Sequence, residues 1–272
     1  MLLYLLGLGS PTYPLPTQSY VAWTSSFDWR RIYDWELIFA GPLFIHQYTQ
    51  MWVDLRGLQD EFTRAHQLDY FENSRRATYL QREYSIRNPQ GFVGYHDCCW
   101  GFTASDGPGP LTLVLNGIER QFYDYLARGA PFGPDDGTIA PWAAVASLPF
   151  APEIVLPTIR HFLAIGVGEG CRYGFAASFN STFDINGKSP GKLPGWTSPW
   201  NYGLNQGPLV LMVENYRSEL IWSMMRQCPY LVMGLRRAGF VGGWLEDRSI
   251  PGSQQSEQES KAVTTFTRIK GK

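Results

Sequence analysis

The chain has 272 residues, of which 44% are hydrophobic, enough apolar material for the core of one large or two small domains. Its formal net charge is −1, its pI is about 6.4, and its lysines and arginines are scattered along the sequence. A chain of this charge lacks the basic surface that grips a phosphate backbone, which excludes nucleic acid as a partner.

The chain begins with an apolar segment, residues 1–8, that is followed closely by Pro11. The segment lacks the positively charged start of a signal peptide and is too short to cross a membrane, so we expect neither. A helix normally opens with a capping residue and a polar first turn, and this segment has neither. We therefore expect Met1 to be an internal methionine of a larger domain whose upstream helices are missing, and residues 1–8 to promote self-association.

Helical periodicity recurs along the rest of the chain, and glycine, proline and asparagine mark where each segment ends. We predict helices over residues 34–53 (broken at Gly41-Pro42), 58–65, 70–87, 142–148, 152–165, 208–227 and 230–238. Asp69 is the expected N-cap of the segment 70–87. Pro152 and Pro208 are expected to open their helices.

Long segments rich in glycine and proline separate these helices, at 91–110 and 171–203, with a short strand expected at 100–103. They carry Trp, Asp and Asn where a disordered segment would carry Ser, Gln and Lys, so we expect functional loops. Residues 249–272 have the composition of a flexible polar tail. Because alternating β patterns are weak and short, the predicted class is all-α with long loops, over residues 1–248.

Three glycines and three prolines surround two adjacent carboxylates, Asp135 and Asp136, in the segment 128–141. Glycine permits positive φ and proline fixes φ, so we expect a rigid loop that holds these carboxylates in defined positions. Three roles stay open for them: binding of sugar hydroxyls, support of an Asp-Gly turn, and catalysis.

Aromatic residues make up 15% of the chain, and several of them, such as Trp196, Trp200 and Tyr202, stand in polar or glycine-rich surroundings. The C–H faces of a sugar ring pack on an aromatic plane while its hydroxyls need polar neighbours, so this composition is typical of a saccharide cleft. The alternative is that the rings fill the core.

Five blocks of the sequence stand out together: GPLFIHQY (41–48), YFENSRRATY (70–79), WGFTASDGPG (100–109), the loop 128–141 and NQGPLVLMVENYR (205–217). In this order they resemble the glycoamylase-like family, which includes bacterial endo-β-1,2-glucanases and a related domain inside cyclic β-1,2-glucan synthases. The resemblance covers nearly all of residues 1–240. It implies an (α/α)6 toroid with long loops at one end, of which residues 1–248 would form the C-terminal part.

The resemblance also points to candidate catalytic residues. Glycosidic bond cleavage requires two placed carboxyl groups. Where the family usually has Asp in an Ile-Asp-Gln-Gly-Pro pattern, this chain has Asn205, an amide that cannot ionise or act as an acid. Glu214, further along the same segment, is the remaining carboxylate nearby, and its alternative is a pair with Arg217 at i+3.

The candidate substrate-binding residues lie in these blocks and in the loops between them: His46, Gln47, Asp54, Arg56, Glu72, Asn73, Trp100, Asp106, Asp135, Asp136, Trp200 and Gln206. Alternatives stay open for several of them. For His46, the alternative is a buried core histidine. Asp54 and Arg56 would pair with each other, and Glu72 would form a surface pair with an arginine one turn further on.

The four cysteines, Cys98, Cys99, Cys171 and Cys228, show no spacing typical of a zinc site, so we predict neither a metal site nor a cofactor. The adjacent Cys98 and Cys99 would bridge each other only with strain, and the other pairings stay open.

The sequence therefore predicts a glycoside hydrolase-like protein that acts on or binds β-glucan, β-1,2-linked by the resemblance, with an oligosaccharide or glucan as its partner. Asn205 and the expected loss of upstream helices favour a truncated, saccharide-binding remnant without catalysis. A transglycosylase domain of a cyclic glucan synthase is a further alternative, against which the short polar tail argues. The resemblance implies a periplasmic or secreted location for full-length members of the family.

Overall fold

The computed structural model describes residues 1–183, 194–247 and 249, in which ten α-helices, nine short β-strands and a 3-10 helix (Gly243–Glu246) are joined by irregular segments. The helices are α1 (Leu2–Leu8), α2 (Thr17–Thr24), α3 (Phe44–Gln47), α4 (Glu61–Ala65), α5 (Tyr70–Arg87), α6 (Pro141–Val145), α7 (Pro152–Ala164), α8 (Gly203–Ser218), α9 (Leu220–Arg226) and α10 (Pro229–Arg237). Among these helices, none combines the length and the hydropathy of a membrane span.

The strands are short and form small antiparallel sheets in the described residues. They are β1 (Trp29–Ile32), β2 (Trp35–Ile38), β3 (Ala104–Ser105), β4 (Leu111–Leu115), β5 (Ile118–Phe122), β6 (Leu126–Ala127), β7 (Thr138–Ile139), β8 (Phe179–Asn180) and β9 (Trp196–Thr197). β1 pairs with β2, β3 with β6 and β4 with β5, and β7, β8 and β9 form a three-stranded sheet. The predicted predominance of helix is confirmed, but the chain is not all-α.

The chain divides into two compact units. The first unit comprises Met1–Phe27, Trp52–Glu72 and the described residues from Leu220 onward, and the second comprises the described parts of Asp28–Met51 and Asn73–Glu219. All nine strands belong to the second unit. Of the predicted tail, residues 249–272, all but Ser249 lie outside the described residues. The single predicted domain over residues 1–248 stays a prediction.

In the first unit, α1 packs against α10. Leu5 and Leu8 are fully buried there, so this side of residues 1–8 packs on a helix of the same chain. The helices approach closely because Gly234 has no side chain: a β-carbon at this position would lie 2.0 Å from the carbonyl oxygen of Leu5. Leu3 and Leu6, by contrast, are 80% and 48% exposed. The self-association expected for this segment stays a prediction.

The helix predicted at 58–65 begins at Glu61 because Asp60 caps it. The Asp60 carboxylate accepts a hydrogen bond from the Thr63 amide at 2.8 Å, and the Thr63 hydroxyl accepts one from the Asp60 amide at 2.9 Å, which together form a capping box. The hydroxyls of Tyr20 and Tyr70 donate to the other carboxylate oxygen at 2.8 and 2.7 Å. Burial first, and then the neighbouring acidic groups, raises the pKa of both phenols, so they stay protonated donors.

In the second unit, a β-hairpin occupies the start of the segment predicted as helical at 34–53. Strand β1 pairs antiparallel with β2, Ile32 opposite Trp35, across a two-residue turn in which Tyr33 has a φ of 53°. The helical prediction is wrong here for two reasons. Four residues are too few to distinguish the 3.6-residue period of a helix from the two-residue period of a strand, and the pairing partner β1 lies upstream of the segment. Ile32 and Leu37 of this hairpin pack against α5.

Helix α5 confirms the prediction at both ends, Tyr70 and Arg87. At its start, the carboxylate of Asp69 accepts a hydrogen bond from the Glu72 amide at 2.7 Å, as an N-cap does. At its end, Asn88 adopts a φ of 40°, the left-handed conformation that commonly follows a helix. Local signals therefore fix this element.

The helix predicted at 208–227 is divided in two. α8 begins at Gly203, well before Pro208, and stops where Glu219 adopts a left-handed φ of 56°. Pro208 lies inside α8, where its missing amide leaves the carbonyl of Leu204 without an i→i−4 donor. The hydroxyl of Tyr48 donates to that carbonyl at 3.2 Å, which satisfies it.

The hairpin of β4 and β5 was not predicted, although its Asn116-Gly117 turn is typical of a β-hairpin. Leu115 pairs with Ile118 across Asn116-Gly117, whose φ values are 52° and 77°. Asn-Gly between two apolar runs favours a two-residue turn with positive φ at both positions. The strand predicted at 100–103 lies instead at β3, paired with β6.

Candidate functional site

The loop 128–141 holds Asp136 in a buried ion pair. The guanidinium of Arg128 donates to the two carboxylate oxygens of Asp136 at 2.7 and 2.8 Å, and neither side chain is exposed to solvent. The backbone amides of Tyr123 and Thr138 donate to the same carboxylate at 3.0 and 3.1 Å. Asp136 is thus fully engaged by the protein, and its contacts match a role in the loop's own structure.

Asp135, the next carboxylate, is also engaged. It accepts hydrogen bonds from the hydroxyls of Tyr84 at 2.8 Å and Tyr95 at 2.6 Å, and from the amide of Gly137 at 3.1 Å. Burial raises the pKa of Asp135, although these hydrogen bonds act in the opposite direction. The contact with Gly137 lies within the turn of the loop, and the other two tie the carboxylate to a tyrosine of α5 and one of the segment that follows it.

His46 lies on α3, a single helical turn, and is buried. Its Nε2 lies 3.0 Å from the carbonyl of Ala40 and its Nδ1 lies 3.4 Å from the side-chain nitrogen of Asn73. The side-chain oxygen of Asn73 accepts from the Ile38 amide at 2.7 Å, so Asn73 ties β2 to α5. Burial lowers the pKa of His46 to about 4. These contacts match the alternative of a buried, hydrogen-bonded core histidine.

Gln47 is buried beside His46 and points the other way. Its side-chain nitrogen donates to the carbonyl of Ala143 at 2.6 Å and to the hydroxyl of Ser147 at 2.8 Å. These bonds tie α3 to α6 and the turn that follows it. Its side-chain oxygen has no hydrogen-bond partner among the described residues.

Asp54 and Arg56 lie in the first unit and pair with each other, as the sequence offered. Arg56 donates to the two Asp54 oxygens at 2.8 and 2.9 Å, and Arg226 also pairs with this carboxylate. The Arg56 guanidinium carbon lies over the Trp222 ring, 4.5 Å from its centroid. Burial raises the pKa of Asp54, but the hydrogen bonds and charges of the two arginines outweigh it and hold the pKa below its ordinary value. Glu72, in the same unit, is half-buried in the first turn of α5.

The start of α8 in the second unit brings the remaining candidates together. We call residues 198–206 the α8 entrance. The Ser198 hydroxyl donates to the Asp106 carboxylate at 2.5 Å and accepts from the Trp200 amide at 3.2 Å, which fixes the backbone at Trp200. Trp200 itself is 61% exposed. Trp200 thus presents an exposed indole, and its backbone is tied through Ser198 to a buried carboxylate.

Three tyrosines lie in or beside this entrance: Tyr202, and two that were not predicted as site residues, Tyr48 and Tyr125. Tyr125 and Tyr202 meet edge to face at 6.3 Å between ring centroids. Burial, followed by the charge of Asp106, raises the pKa of Tyr202. Burial, followed by the proximity of Tyr125, raises the pKa of Tyr48 to about 12. Nothing in the sequence around Tyr48 or Tyr125 brings them to residues 198–206, so only the fold reveals this grouping.

Asn205 lies in the first turn of α8 and is buried. Its side-chain nitrogen is enclosed and has no hydrogen-bond partner in residues 1–183 and 194–247. An enclosed donor without a protein acceptor is costly and is typical of a site that takes a polar ligand or water. Gln206 beside it donates to the carbonyl of Phe175 at 3.4 Å.

Glu214 does not adjoin Asn205. Nine residues along an α-helix correspond to about 13 Å of rise and two and a half turns, so the two side chains point to opposite faces of α8. Glu214 accepts from the Ser218 hydroxyl at 2.5 Å and lies 3.6 Å from Arg217, its predicted alternative partner. The two residues therefore cannot serve as one catalytic pair.

Trp100 is fully buried, so it offers no face to a ligand. Trp142 and Trp222 are likewise within the core, each 2% exposed. For these tryptophans the alternative of core packing applies. Metal-ligating side chains meet elsewhere in the second unit, at His96, Cys99 and His161.

Comparison with known proteins identifies the family. Residues 1–229 match the family model Glycoamylase, described as "Putative glucoamylase". The chain is 29% identical over 263 residues to the exo-β-1,2-glucooligosaccharide sophorohydrolase (non-reducing end) of Parabacteroides distasonis, a match that covers 87% of this chain and 32% of that protein.

Solved structures of related proteins are also similar to this chain. The endo-β-1,2-glucanase from Chitinophaga pinensis, in complex with sophorotriose and glucose, matches with a TM-score of 0.70 at 29% identity and covers 88% of this chain and 53% of its own. A Bacteroides uniformis protein with the same description as the family matches with a TM-score of 0.74 at 34% identity, covering 89% and 54%. The chain thus spans about a third of the curated relative and about half of these two solved structures. Because the family model covers most of its length, the chain belongs to the glycoamylase family.

Proposed function

We propose that this chain is part of a glycoside hydrolase-like protein and binds a β-1,2-glucan at the α8 entrance. One observation carries the proposal: exposed aromatic rings, Trp200 and Tyr125, accompany a buried carboxylate, Asp106, and an enclosed amide donor, Asn205. Sugar rings stack on the aromatic faces, while their hydroxyls donate to the carboxylate and accept from the amide.

The names of the relatives support the linkage. The Parabacteroides protein is named for β-1,2-glucooligosaccharides and the Chitinophaga protein for β-1,2-glucan, and the second carries sophorotriose. Because the chain spans only part of each of them, the substrate is our proposal for this chain. We also propose that its helices belong to an (α/α)6 toroid and that residues 1–248 belong to one glycoamylase-like domain, which the TM-scores of 0.70 and 0.74 support.

The proposed contacts differ in kind. Trp200 and Tyr125 would stack on the saccharide, and Asp106, Asn205 and Gln206 would supply its polar contacts. Other predicted site residues are engaged by the protein and would shape the surroundings: His46, Gln47, Asn73, Trp100, Asp135 and Asp136 in the second unit, and Asp54, Arg56 and Glu72 in the first.

Binding of sophorotriose by the full chain tests the proposal. In isothermal titration calorimetry, we expect Trp200→Ala and Tyr125→Ala each to weaken binding about tenfold, since an aromatic contact contributes roughly 1 kcal/mol beyond burial. Tyr13→Ala is the matched control, because Tyr13 is an exposed aromatic residue of the first unit. A β-1,3-linked glucotriose serves as the linkage control. Equal affinity of all variants for sophorotriose would contradict the site, and equal affinity for the two trisaccharides would contradict the linkage.

A second candidate function is saccharide binding without hydrolysis. Three observations favour it: position 205 carries an amide, Glu214 lies on the opposite face of α8, and the Asp135 and Asp136 carboxylates are occupied by protein donors.

A further inference from the structure

Two histidines and a cysteine meet in the second unit, outside the α8 entrance residues. His96 and Cys99 lie in the loop that follows α5, and His161 lies near the end of α7. The Nε2 atoms of the two imidazoles are 3.2 Å apart, and their rings stand at 84°. The sulfur of Cys99 and the nitrogens of both histidines lie within 4.8 Å of one another.

The separation of the two histidine nitrogens matches that of two ligands around a tetrahedral ion. Zinc binds imidazole nitrogen at about 2.0–2.1 Å, so two such ligands at the tetrahedral angle stand about 3.3 Å apart. The observed separation of the two nitrogens is 3.2 Å. An ion between them would replace their mutual hydrogen bond with two metal bonds, while the Cys99 thiol would release its proton to water and bind as thiolate.

The backbone and a neighbouring carboxylate support this arrangement. The Cys99 amide donates to the His96 carbonyl at 3.1 Å, which holds the two ligands on one turn. The Asp97 carboxylate lies 3.2 Å from His96 Nδ1, in the position of the outer carboxylate that orients a metal-bound histidine. In the chain without metal, the Cys98 amide, 3.1 Å from the same nitrogen, donates to it. Metal at Nε2 would select the tautomer that donates from Nδ1 to Asp97, and the Cys98 amide would then lose its hydrogen bond to this nitrogen.

We propose that His96, Cys99 and His161 bind one zinc ion and so tie the loop after α5 to α7. A set of two imidazoles and one thiolate suits zinc and related transition ions and is a poor site for magnesium or calcium, which take oxygen ligands. His96 and Cys99 are separated by two residues, so one turn of the loop supplies two of the ligands. This proposal departs from the sequence prediction of no metal site, which considered the spacing of the cysteines alone, whereas the third ligand, His161, is distant in the chain.

A second grouping, His96, Asp97 and Cys98, shares one ligand with this site. Its members are consecutive residues, and the Asp97 side chain is 56% exposed. The grouping with Cys99 joins two segments and includes a fully buried sulfur, so it is the one we propose.

Cobalt titration of the full chain tests the site, with any affinity tag removed and the thiols reduced. We expect one equivalent of Co²⁺ to produce the visible absorption of a tetrahedral ion and a sulfur-to-cobalt charge-transfer band, both displaced by Zn²⁺. His161→Gln and Cys99→Ser should each weaken binding at least about tenfold. His66→Gln and Cys228→Ser are the matched controls and should bind as the original chain does.

Because Cys99 is buried, its serine variant is checked by circular dichroism, and the half-exposed His161 provides the independent variant. Zn²⁺ should also raise the melting temperature of the original chain and not that of His161→Gln. Absence of a one-to-one complex would overturn the proposal, as would full-strength binding by His161→Gln. Loss of the charge-transfer band in Cys98→Ser with its retention in Cys99→Ser would also overturn it.

Discussion

The carboxylate of Asp136 and the guanidinium of Arg128 face each other without contact with solvent. Removing two charges from water costs several kcal/mol, which the paired hydrogen bonds and the amides of Tyr123 and Thr138 offset. A residue in such a pair is bound to its partner in the folded chain, so we interpret Asp136 as the element that fixes the loop 128–141.

Removing one member of this pair should be strongly destabilising. We expect Asp136→Ala to lower the free energy of unfolding by about 3–5 kcal/mol, because Arg128 would remain as a buried charge without its counterion. The urea midpoint measures the loss. Asp28→Ala is the control, since Asp28 pairs with an exposed arginine at the surface and its loss should leave the midpoint unchanged. The same midpoint for both variants would contradict the buried-pair interpretation.

His46 should make stability depend on pH. Burial lowers its pKa to about 4, while in the unfolded chain a histidine binds a proton near pH 6.5. Between these values the unfolded state binds more protons, so the free energy of unfolding falls as the pH falls, by about 3 kcal/mol at most. We expect His46→Gln to lose this part of the slope in urea titrations from pH 7 to pH 4, and His66→Gln to keep it. Parallel slopes for the original chain and His46→Gln would rule this out.

At the scale of elements, glycine decides how closely two helices approach. A β-carbon at Gly234 of α10 would lie 2.0 Å from a backbone oxygen of α1, whereas one at Gly203, the first residue of α8, would meet no atom within 4 Å apart from its chain neighbours and the backbone of its own helix. The same substitution therefore has opposite consequences at the two positions.

We expect Gly234→Ala to destabilise the chain by about 1–3 kcal/mol, because α1 and α10 must separate to admit the methyl group. Gly203→Ala should stabilise it by about 0.4–1 kcal/mol, because alanine has less conformational freedom to lose on folding. Thermal melts of the two variants and of the original chain measure both effects. A shift of the same sign in the two variants would contradict the packing described for α1 and α10.

The elements also differ in how far the sequence determines them. Helix α5 was predicted to the residue because its end signals, Asp69 and Asn88, are local. The hairpin at Asn116-Gly117 could have been predicted from the turn alone. Strand β2 could not, because it depends on pairing with β1. The α8 entrance is harder still to predict from the sequence, because Tyr48, Asp106 and Tyr125 are brought to it only by the fold. Position 205, by contrast, was identified from its sequence block.

For the molecule as a whole, hydrolysis depends on which carboxyls the α8 entrance offers. An inverting mechanism needs two carboxyl groups roughly 6.5 to 9.5 Å apart, one as acid and one as base. Asp106 is the carboxyl tied to this entrance through Ser198, and Asn205 supplies an amide. Among the described residues, Asp124 also acts on Tyr202 through its charge, but position 205, where the family resemblance places a carboxyl, has none.

We expect the 272-residue chain to bind linear β-1,2-glucan without releasing reducing ends, which a reducing-sugar assay measures directly. Asn205→Asp supplies a carboxyl of the same size at the buried position, so it should produce activity if Asp106 is its partner, and adding Asp106→Asn should then abolish that activity. Gln206→Glu is the matched control, since it adds a carboxyl one residue away and should leave the chain inactive. Turnover by the unmodified chain would contradict the assignment of position 205, because it would require two working carboxyls that do not include it.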